Sequence, residues 1–187
     1  GDLEQGLSYL DRYFESPDPA VRAGAVVAVG LLSGGACIRD ECDAGFALVV
    51  DHLTSSDVVM RESAIISLLF AYSGTANPRV QELLIPIVTD TSMTLWTVAL
   101  SCLAMSNAFV GSCDGEITSI ILQILMEREA DFALSKQPFR LMALSLGLLY
   151  WGRQGAADTA IETVRVLASK EMSLACSTIV TGCAYAG

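Results

Sequence analysis

Positive charge is scarce in this chain: Lys and Arg number 11 against 21 Asp and Glu, a formal net charge of −10 at pH 7. A surface of that sign repels phosphate backbones and anionic headgroups, which excludes nucleic acid and the membrane as partners and favours a cationic protein surface. Aromatics are scarce too, at 7%, so a sequence that is 52% hydrophobic must be packed by Ala, Leu, Val, Ser and Gly. The single histidine, His52, follows Asp51 but has no nucleophile in a recognisable setting, and reads as a structural residue on an amphipathic helix. There is no GxSxG, no phosphate-binding Gly loop and no metal-ligand cluster. Catalysis, a cofactor and a metal are therefore not expected.

None of the six cysteines, Cys37, Cys42, Cys102, Cys113, Cys176 and Cys183, forms a CxxC pair, so a zinc knuckle is excluded. Most lie in apolar helical stretches and read as reduced core residues. Cys37 and Cys42 fall in a loop where Asp40, Glu41 and Asp43 outnumber Arg39, so nothing there lowers a thiol pKa. The stretch Thr91 to Cys113 carries no charge and is long enough to cross a bilayer. Ser101, Ser106 and Asn107 interrupt it and Gly111 ends it, so it divides into one helix with flanking loops. The N-terminus opens with Asp2 and Glu4 instead of a basic segment and an apolar run, and a cytosolic and nuclear protein is expected.

What is present is a repeat. A Gly-terminated segment returns five times: VRAGAVVAVGLLSGG to Gly35, MRESAIISLLFAYSG to Gly74, TVALSCLAMSNAFVG to Gly111, PFRLMALSLGLLYWG to Gly152 and SLACSTIVTGCAYAG to Gly187. The successive spacings of 39, 37, 41 and 35 residues suit two helices and two turns per repeat. A more amphipathic helix precedes each segment. Its apolar positions are Leu3, Leu7, Leu10 and Phe14 in the first repeat and Phe46, Val49, Val50 and Leu53 in the second. They continue with Val80, Leu83, Leu84 and Val88, then Ile117, Ile120, Ile121, Ile124 and Leu125, then Ile161, Val164, Val166 and Leu167.

The fold class is thus all-α, an α-solenoid of about five helix-pair repeats over 2–35, 42–74, 78–111, 115–152 and 156–187 in a single domain, 1–187. First helices keep a polar face and belong outside; second helices, apolar nearly all round, belong on the inner wall. Ser16, Pro17, Asp18 and Pro19, and again Ser55, Ser56 and Asp57, mark the turns within repeats, and the terminal Gly suits a position of positive φ. Gly30, Ser106, Gly147 and Gly182, each five before a terminal Gly, predict close approach of second helices. Arg128 to Pro138 reads as a longer, polar and mobile connection. Trp96 and Trp151 read as core or inter-repeat packing, Met93, Met105 and Met142 as gap-fillers, and Met126 as an adaptable contact.

This pattern, and in particular FVGSCDGEITSIILQILMERE from Phe109, LSLGLLYWG from Leu144, CAYAG from Cys183 and the opening GLSYLDRYFESPDPAVRAGA, resembles the proteasome/cyclosome repeats. Within that family it is similar to the large non-ATPase base subunits of the proteasome regulatory particle, which receive ubiquitin and ubiquitin-like domains. The resemblance covers essentially the whole chain. It implies a closed ring of concentric helices of which this chain is an arc, and a non-enzymatic scaffold whose partners are ubiquitin, ubiquitin-like domains of shuttle factors or a deubiquitinase, and other regulatory-particle subunits.

The family's docking helix matches Glu116 to Glu127. The resemblance implies contacts from Glu116, Ile120, Gln123 and Glu127, with Gln123 standing where the family can carry an acid. Spacings of seven and four put Glu116, Gln123 and Glu127 on one helical face, and an acidic face complements the basic ring around ubiquitin's apolar patch. Asp114 is also a candidate cap and Glu116 a favourable charge at a helix start, which gives Glu116 a structural role of its own. Flanking outer helices beginning near Arg79 and Ala157 would border the groove. A second docking place implied by the family falls on the first helix at Leu3, Glu4 and Ser8, with the register open by one residue around Gln5 and Gly6. The competing expectation is a purely structural spacer, for which apolar residues need not be exposed between the acids; a generic armadillo-like or HEAT-like adaptor would lack the Gly-ended, small-residue helices.

Overall fold

The turns define the helices, because six helix starts carry a side chain that satisfies an orphan backbone N–H. In a computed structural model that describes residues 3–34 and 43–186, Asp18 accepts from the Ala20 N–H, Asp57 from Val59, Asn77 from Arg79, Thr94 from Thr97, Asp114 from Ile117 and Ser169 from Met172. Three of these turns share one construction. The backbone N–H of Asp18, Asp57 and Asp114 donates to the hydroxyl two residues earlier, of Ser16, Ser55 and Ser112, at 3.1 to 3.2 Å. In the first two, an arginine four residues after the cap, Arg22 or Arg61, closes the turn onto the carbonyl of Ser16 or Ser55. Two prolines, Pro19 and Pro78, occupy first-turn positions where the missing N–H costs nothing.

The described residues contain eleven α-helices and no strand, and they divide into two compact units, 1–75 and 76–187. The first unit comprises α1 (Leu3–Phe14), α2 (Pro19–Ser33), α3 (Asp43–Val50), which runs into a 3-10 turn over Asp51–Thr54, and α4 (Val58–Ala71). Its principal packing is α2 against α4, with α1 laid on α2 and α3 on both. Val26, Val29, Ala64, Ile65 and Leu68 are fully buried. Gly30 is the closest point: a Cβ there would lie 2.2 Å from the Ser67 carbonyl oxygen and 2.5 Å from its Cα, so only glycine fits.

The second unit comprises α5 (Pro78–Thr89), α6 (Leu95–Ala108), α7 (Gly115–Glu127), α8 (Glu129–Leu134), α9 (Lys136–Leu149), a 3-10 turn over Gln154–Ala157, α10 (Asp158–Val164) and α11 (Lys170–Ala184). The second helices of the repeats, α6, α9 and α11, stack on one another in chain order, while α5 lies on α6, α7 on α9, and α10 on α11. Helices that are buried on several sides need small polar residues as well as apolar ones. Ser101 and Ser145 are buried and return their hydroxyls to the carbonyls four residues back, of Thr97 and Leu141.

The recurrent glycine has a backbone reason. Gly74, Gly111 and Gly152 all have φ of 68 to 69°, and two residues after the first two of them Ala76 and Cys113 also turn left-handed. At Gly111 and Gly152 that conformation aims N–H groups at the next second helix. Within the second unit Ala76 donates to the Ala108 carbonyl, Gly111 to Leu148, Cys113 to Leu149 and Gly152 to Cys183, at 2.8 to 3.1 Å. The turns after α6 and α9 thus give donors to C-terminal carbonyls of α9 and α11, backbone bonds that tie repeat to repeat within the second unit. Gly35 and Gly187, with Cys37 and Cys42, lie outside the described residues.

Several expectations need correction. The segment from Arg128 to Pro138 is helical: α8 occupies Glu129–Leu134, Phe132 is buried, and Pro138 lies inside the first turn of α9. The Glu129 carboxylate accepts from the N–H groups of Ala168 and Ser169, which fastens α8 to the turn before α11. Trp96 and Trp151 are 40% and 48% exposed; they sit at the start of α6 and just past the end of α9, where the rings reach outward. Val166 lies beyond the end of α10 and is exposed. Of the small residues, Gly30 and Gly147 are closely approached, the latter by the Cys183 Sγ at 2.8 Å from a Cβ, and Ser106 is buried, but Gly182 has nothing within 4 Å. Met105 and Met142 are fully buried, whereas Met93 is only half-buried. The uncharged run Thr91 to Cys113 yields one 14-residue helix, α6, and no helix among the described residues is long and apolar enough to cross a membrane.

Candidate functional site

α7 owes its position to two sides of one amphipathic sequence. Ile117, Ile121, Ile124 and Leu125 are buried and turn one face inward. Thr118, buried on the same side, hydrogen-bonds at 3.2 Å with the Tyr150 hydroxyl at the end of α9. The start of the helix is fixed by Asp114, whose carboxylate accepts from the Ile117 N–H at 2.9 Å, with Glu116 in the first turn. Both carboxylates favour the helix N-terminus electrostatically.

The opposite face carries the residues singled out from the sequence. Glu116, Gln123 and Glu127 are exposed and Ile120 is half-exposed among them. The structure therefore brings all four to one face, with Met126 47% exposed beside Glu127. Their polar contacts are with amides, not cations. The Gln81 side chain of α5 donates to Glu116 at 2.7 Å, and Gln123 donates to Glu127 at 2.7 Å. Neutral donors orient these carboxylates and leave their charge uncompensated. The nearest lining cation, Arg128, is engaged with Asp131 at 3.5 Å and with the Met93 carbonyl.

Open grooves run along both flanks of α7. On the α5 side one is lined by Val88, Thr89, Asp90, Ile120, Gln123 and Glu127. On the α10 side another is lined by Leu122, Met126, Tyr150, Thr159, Ala160 and Thr163. The flanking helices begin at Pro78 and Asp158, next to the Arg79 and Ala157 expected from the sequence. Contacts that the sequence reading did not assign are Gln81, Leu122 and the α10 residues Thr159 and Thr163. Gln81 and Glu116 are 35 residues apart, close to the repeat length, which is the signal that would have paired them.

In the first unit, α1 presents Glu4 and Ser8 to solvent, with Leu3 half-buried at its start and the Ser8 hydroxyl returned to the Gln5 carbonyl at 2.9 Å. Tyr9, at 63% exposure, is the most prominent apolar side chain of that helix. Among the described residues no group of three or more His, Cys, Asp or Glu is placed to hold a metal ion. Burial pushes the thiols of Cys102 and Cys176 up to about 12, so both are protonated packing residues.

Helix pairs whose second members stack in chain order and hand backbone donors from one repeat to the next define an all-α repeat protein of the α-solenoid class. No family model matches the chain. Over its entire length, however, it is homologous to one stretch of the 26S proteasome non-ATPase regulatory subunits. It is 37% identical over 186 residues to 26S proteasome non-ATPase regulatory subunit 2 of Dictyostelium discoideum. It is 38% identical to the 26S proteasome regulatory subunit rpn1 of Schizosaccharomyces pombe, and 36% to homolog B of subunit 2 in Arabidopsis thaliana. In each case the match takes in 100% of this chain and 20% of the relative. The chain thus spans one fifth of the length of these proteins.

Proposed function

We propose that this chain is a non-enzymatic scaffold segment of the proteasome regulatory particle, in the cytosol and nucleus, that docks ubiquitin and ubiquitin-like domains on the exposed face of α7. The observation that carries this reading is the combination on one helix of uncompensated acids with exposed apolar surface. Glu116 and Glu127 accept only from neutral amides, while Ile120 and Met126 stand between and beside them. A spacer has no physical need for that arrangement; a receptor for an apolar patch ringed by basic residues needs both parts. Homology to the non-ATPase regulatory subunits supports the scaffold role and association with other regulatory-particle subunits. Leu3, Glu4 and Ser8 on α1 would provide a second docking place, for the ubiquitin-like domain of a deubiquitinase. A shallow helical face with few charges binds weakly, at about micromolar Kd or above, or about −8 kcal/mol at most.

The test is an NMR titration of isotope-labelled ubiquitin, and separately of a shuttle-factor ubiquitin-like domain, with the chain and with a folded Glu116→Arg, Glu127→Arg variant. Shifts confined to the apolar patch that disappear with the variant support docking on α7. No response from either domain, or shifts indifferent to the charge reversal, would leave the spacer reading in its place.

A further inference from the structure

The α7 face suits a basic partner. A second concavity in the same unit has the opposite character. Between α8, the start of α9 and the start of α11 lies a cavity of about 180 Å³, space of the order of one large apolar side chain. Its lining includes Phe132, Phe139, Met172 and Ala175, the first three buried, and at its border stand Lys136 and Arg140. The chain contains two lysines, and both are here: Lys136 opens α9, and Lys170 opens α11 between the lining residues Ser169 and Glu171.

The charges of this cluster are unequally engaged. Lys136 makes a long, exposed pair with Glu171 at 3.7 Å, which contributes little. The Glu129 carboxylate is occupied by the N–H groups of Ala168 and Ser169. Arg140 is exposed, and among the described residues it has no hydrogen-bond or ion-pair partner. A guanidinium left free at the edge of an apolar recess is a bidentate carboxylate receptor. The lining carries two cations, Lys136 and Arg140, against one acid, Glu171, in a chain that overall has almost two acids for each base.

We propose that this groove binds an acidic peptide segment of a partner protein, one bulky apolar side chain entering against Phe132, Phe139 and Met172 while a flanking carboxylate pairs with Arg140 and a second with Lys136. Complementarity of charge selects the occupant: the basic patch that fits α7 is repelled here, and an acidic segment that fits here is repelled by α7. The chain would then hold two partners of opposite sign on separate surfaces.

Fluorescence anisotropy with the whole chain tests this. The probes are a short fluorescein-labelled peptide with a central Phe flanked by Asp and Glu, the same peptide with Ala at its centre, and one with Lys in place of the acids. The Phe peptide should bind, the Ala peptide about tenfold or more weakly, and the Lys peptide not at all. Lys136→Glu with Arg140→Glu should weaken the Phe peptide by about tenfold or more. Arg12→Glu with Arg165→Glu, an equal change of net charge elsewhere, should leave it within about twofold. Ala175→Trp, which fills the recess without altering charge, should also abolish binding, and Arg140→Gln gives an intermediate loss if the double reversal misfolds. Equal binding of the Phe and Ala peptides, or equal losses from both charge reversals, would overturn the proposal. So would a dimer in sedimentation velocity that Arg140→Glu dissociates, because the occupant would then be a second copy of the chain.

Discussion

Replacing Gly30 with alanine tests the packing of α2 on α4 directly. The added methyl would sit 2.2 Å from the Ser67 carbonyl oxygen and 2.7 Å from its carbonyl carbon. Both are backbone atoms of a helix and cannot swing away. Ordinary contact needs roughly an ångström more, so the helices must part by about that distance, and a gap of 0.5–1 Å forfeits about a quarter to a half of each dispersion contact along the interface. Overpacking of this kind costs about 1–3 kcal/mol, and backbone neighbours put Gly30→Ala at the upper end. Alanine's better helix propensity returns at most about 1 kcal/mol. The net loss is about 2 kcal/mol. Gly24→Ala is the internal control: it lies in the same helix, nothing is within 4 Å of its added Cβ, and the propensity gain of about 0.5–1 kcal/mol should appear unopposed. Urea unfolding followed by circular dichroism measures both, and hydrogen exchange of α2 and α4 amides localises the effect. If Gly30→Ala is as stable as Gly24→Ala, the close approach of α2 and α4 is wrong.

Gly111→Ala and Gly152→Ala both force alanine to φ of +68°, at about 1 kcal/mol each, but only at Gly111 does the added Cβ also press a backbone oxygen, that of Trp151 at 3.2 Å. Thermal melts should rank Gly111→Ala below Gly152→Ala. Asp114→Ala removes the cap of α7 and should cost about 1 kcal/mol, seen as faster exchange in its first turn and weaker docking despite intact Glu116 and Glu127. Cys102 and Cys176 have thiol pKa values raised from 9.0 to about 12 by burial. A raised folded-state pKa gives stability that is complete below pH 9 and lost as the pH climbs toward 12, because only the unfolded chain releases the protons. Urea midpoints over that interval should fall, and the fall should shrink in a Cys102→Ala, Cys176→Ala variant.

Sequence periodicity was enough to reach the helix pairs, because an apolar face at helical spacing and a terminal glycine are local signals. The positive φ of Gly74, Gly111 and Gly152 matches that reading. So do the Asp114 cap and the shared face of Glu116, Ile120, Gln123 and Glu127. Features that depend on two distant segments were not legible. α8 is six residues long, too short for an apolar periodicity to register, and it is held by the contact of Glu129 with a turn some 40 residues on. The outward set of Trp96 and Trp151 depends on where helices end relative to neighbours, which composition does not report. Of the amide partners of the two acids, Gln123 lies four residues from Glu127 on the same helix, whereas Gln81 reaches Glu116 across a repeat and could be paired with it only through the repeat length.

The central claim is that uncompensated carboxylates on α7 meet basic groups of a ubiquitin fold. A charge swap measured by calorimetry tests it most directly: Glu127→Arg in this chain, a Lys→Glu change beside ubiquitin's apolar patch, and the two combined. Each single reversal should weaken binding about tenfold and the combination should recover most of that loss, a coupling of about 1 kcal/mol or more. Losses that simply add, with no recovery in the combined pair, would contradict the docking face assigned to Glu116, Ile120, Gln123 and Glu127.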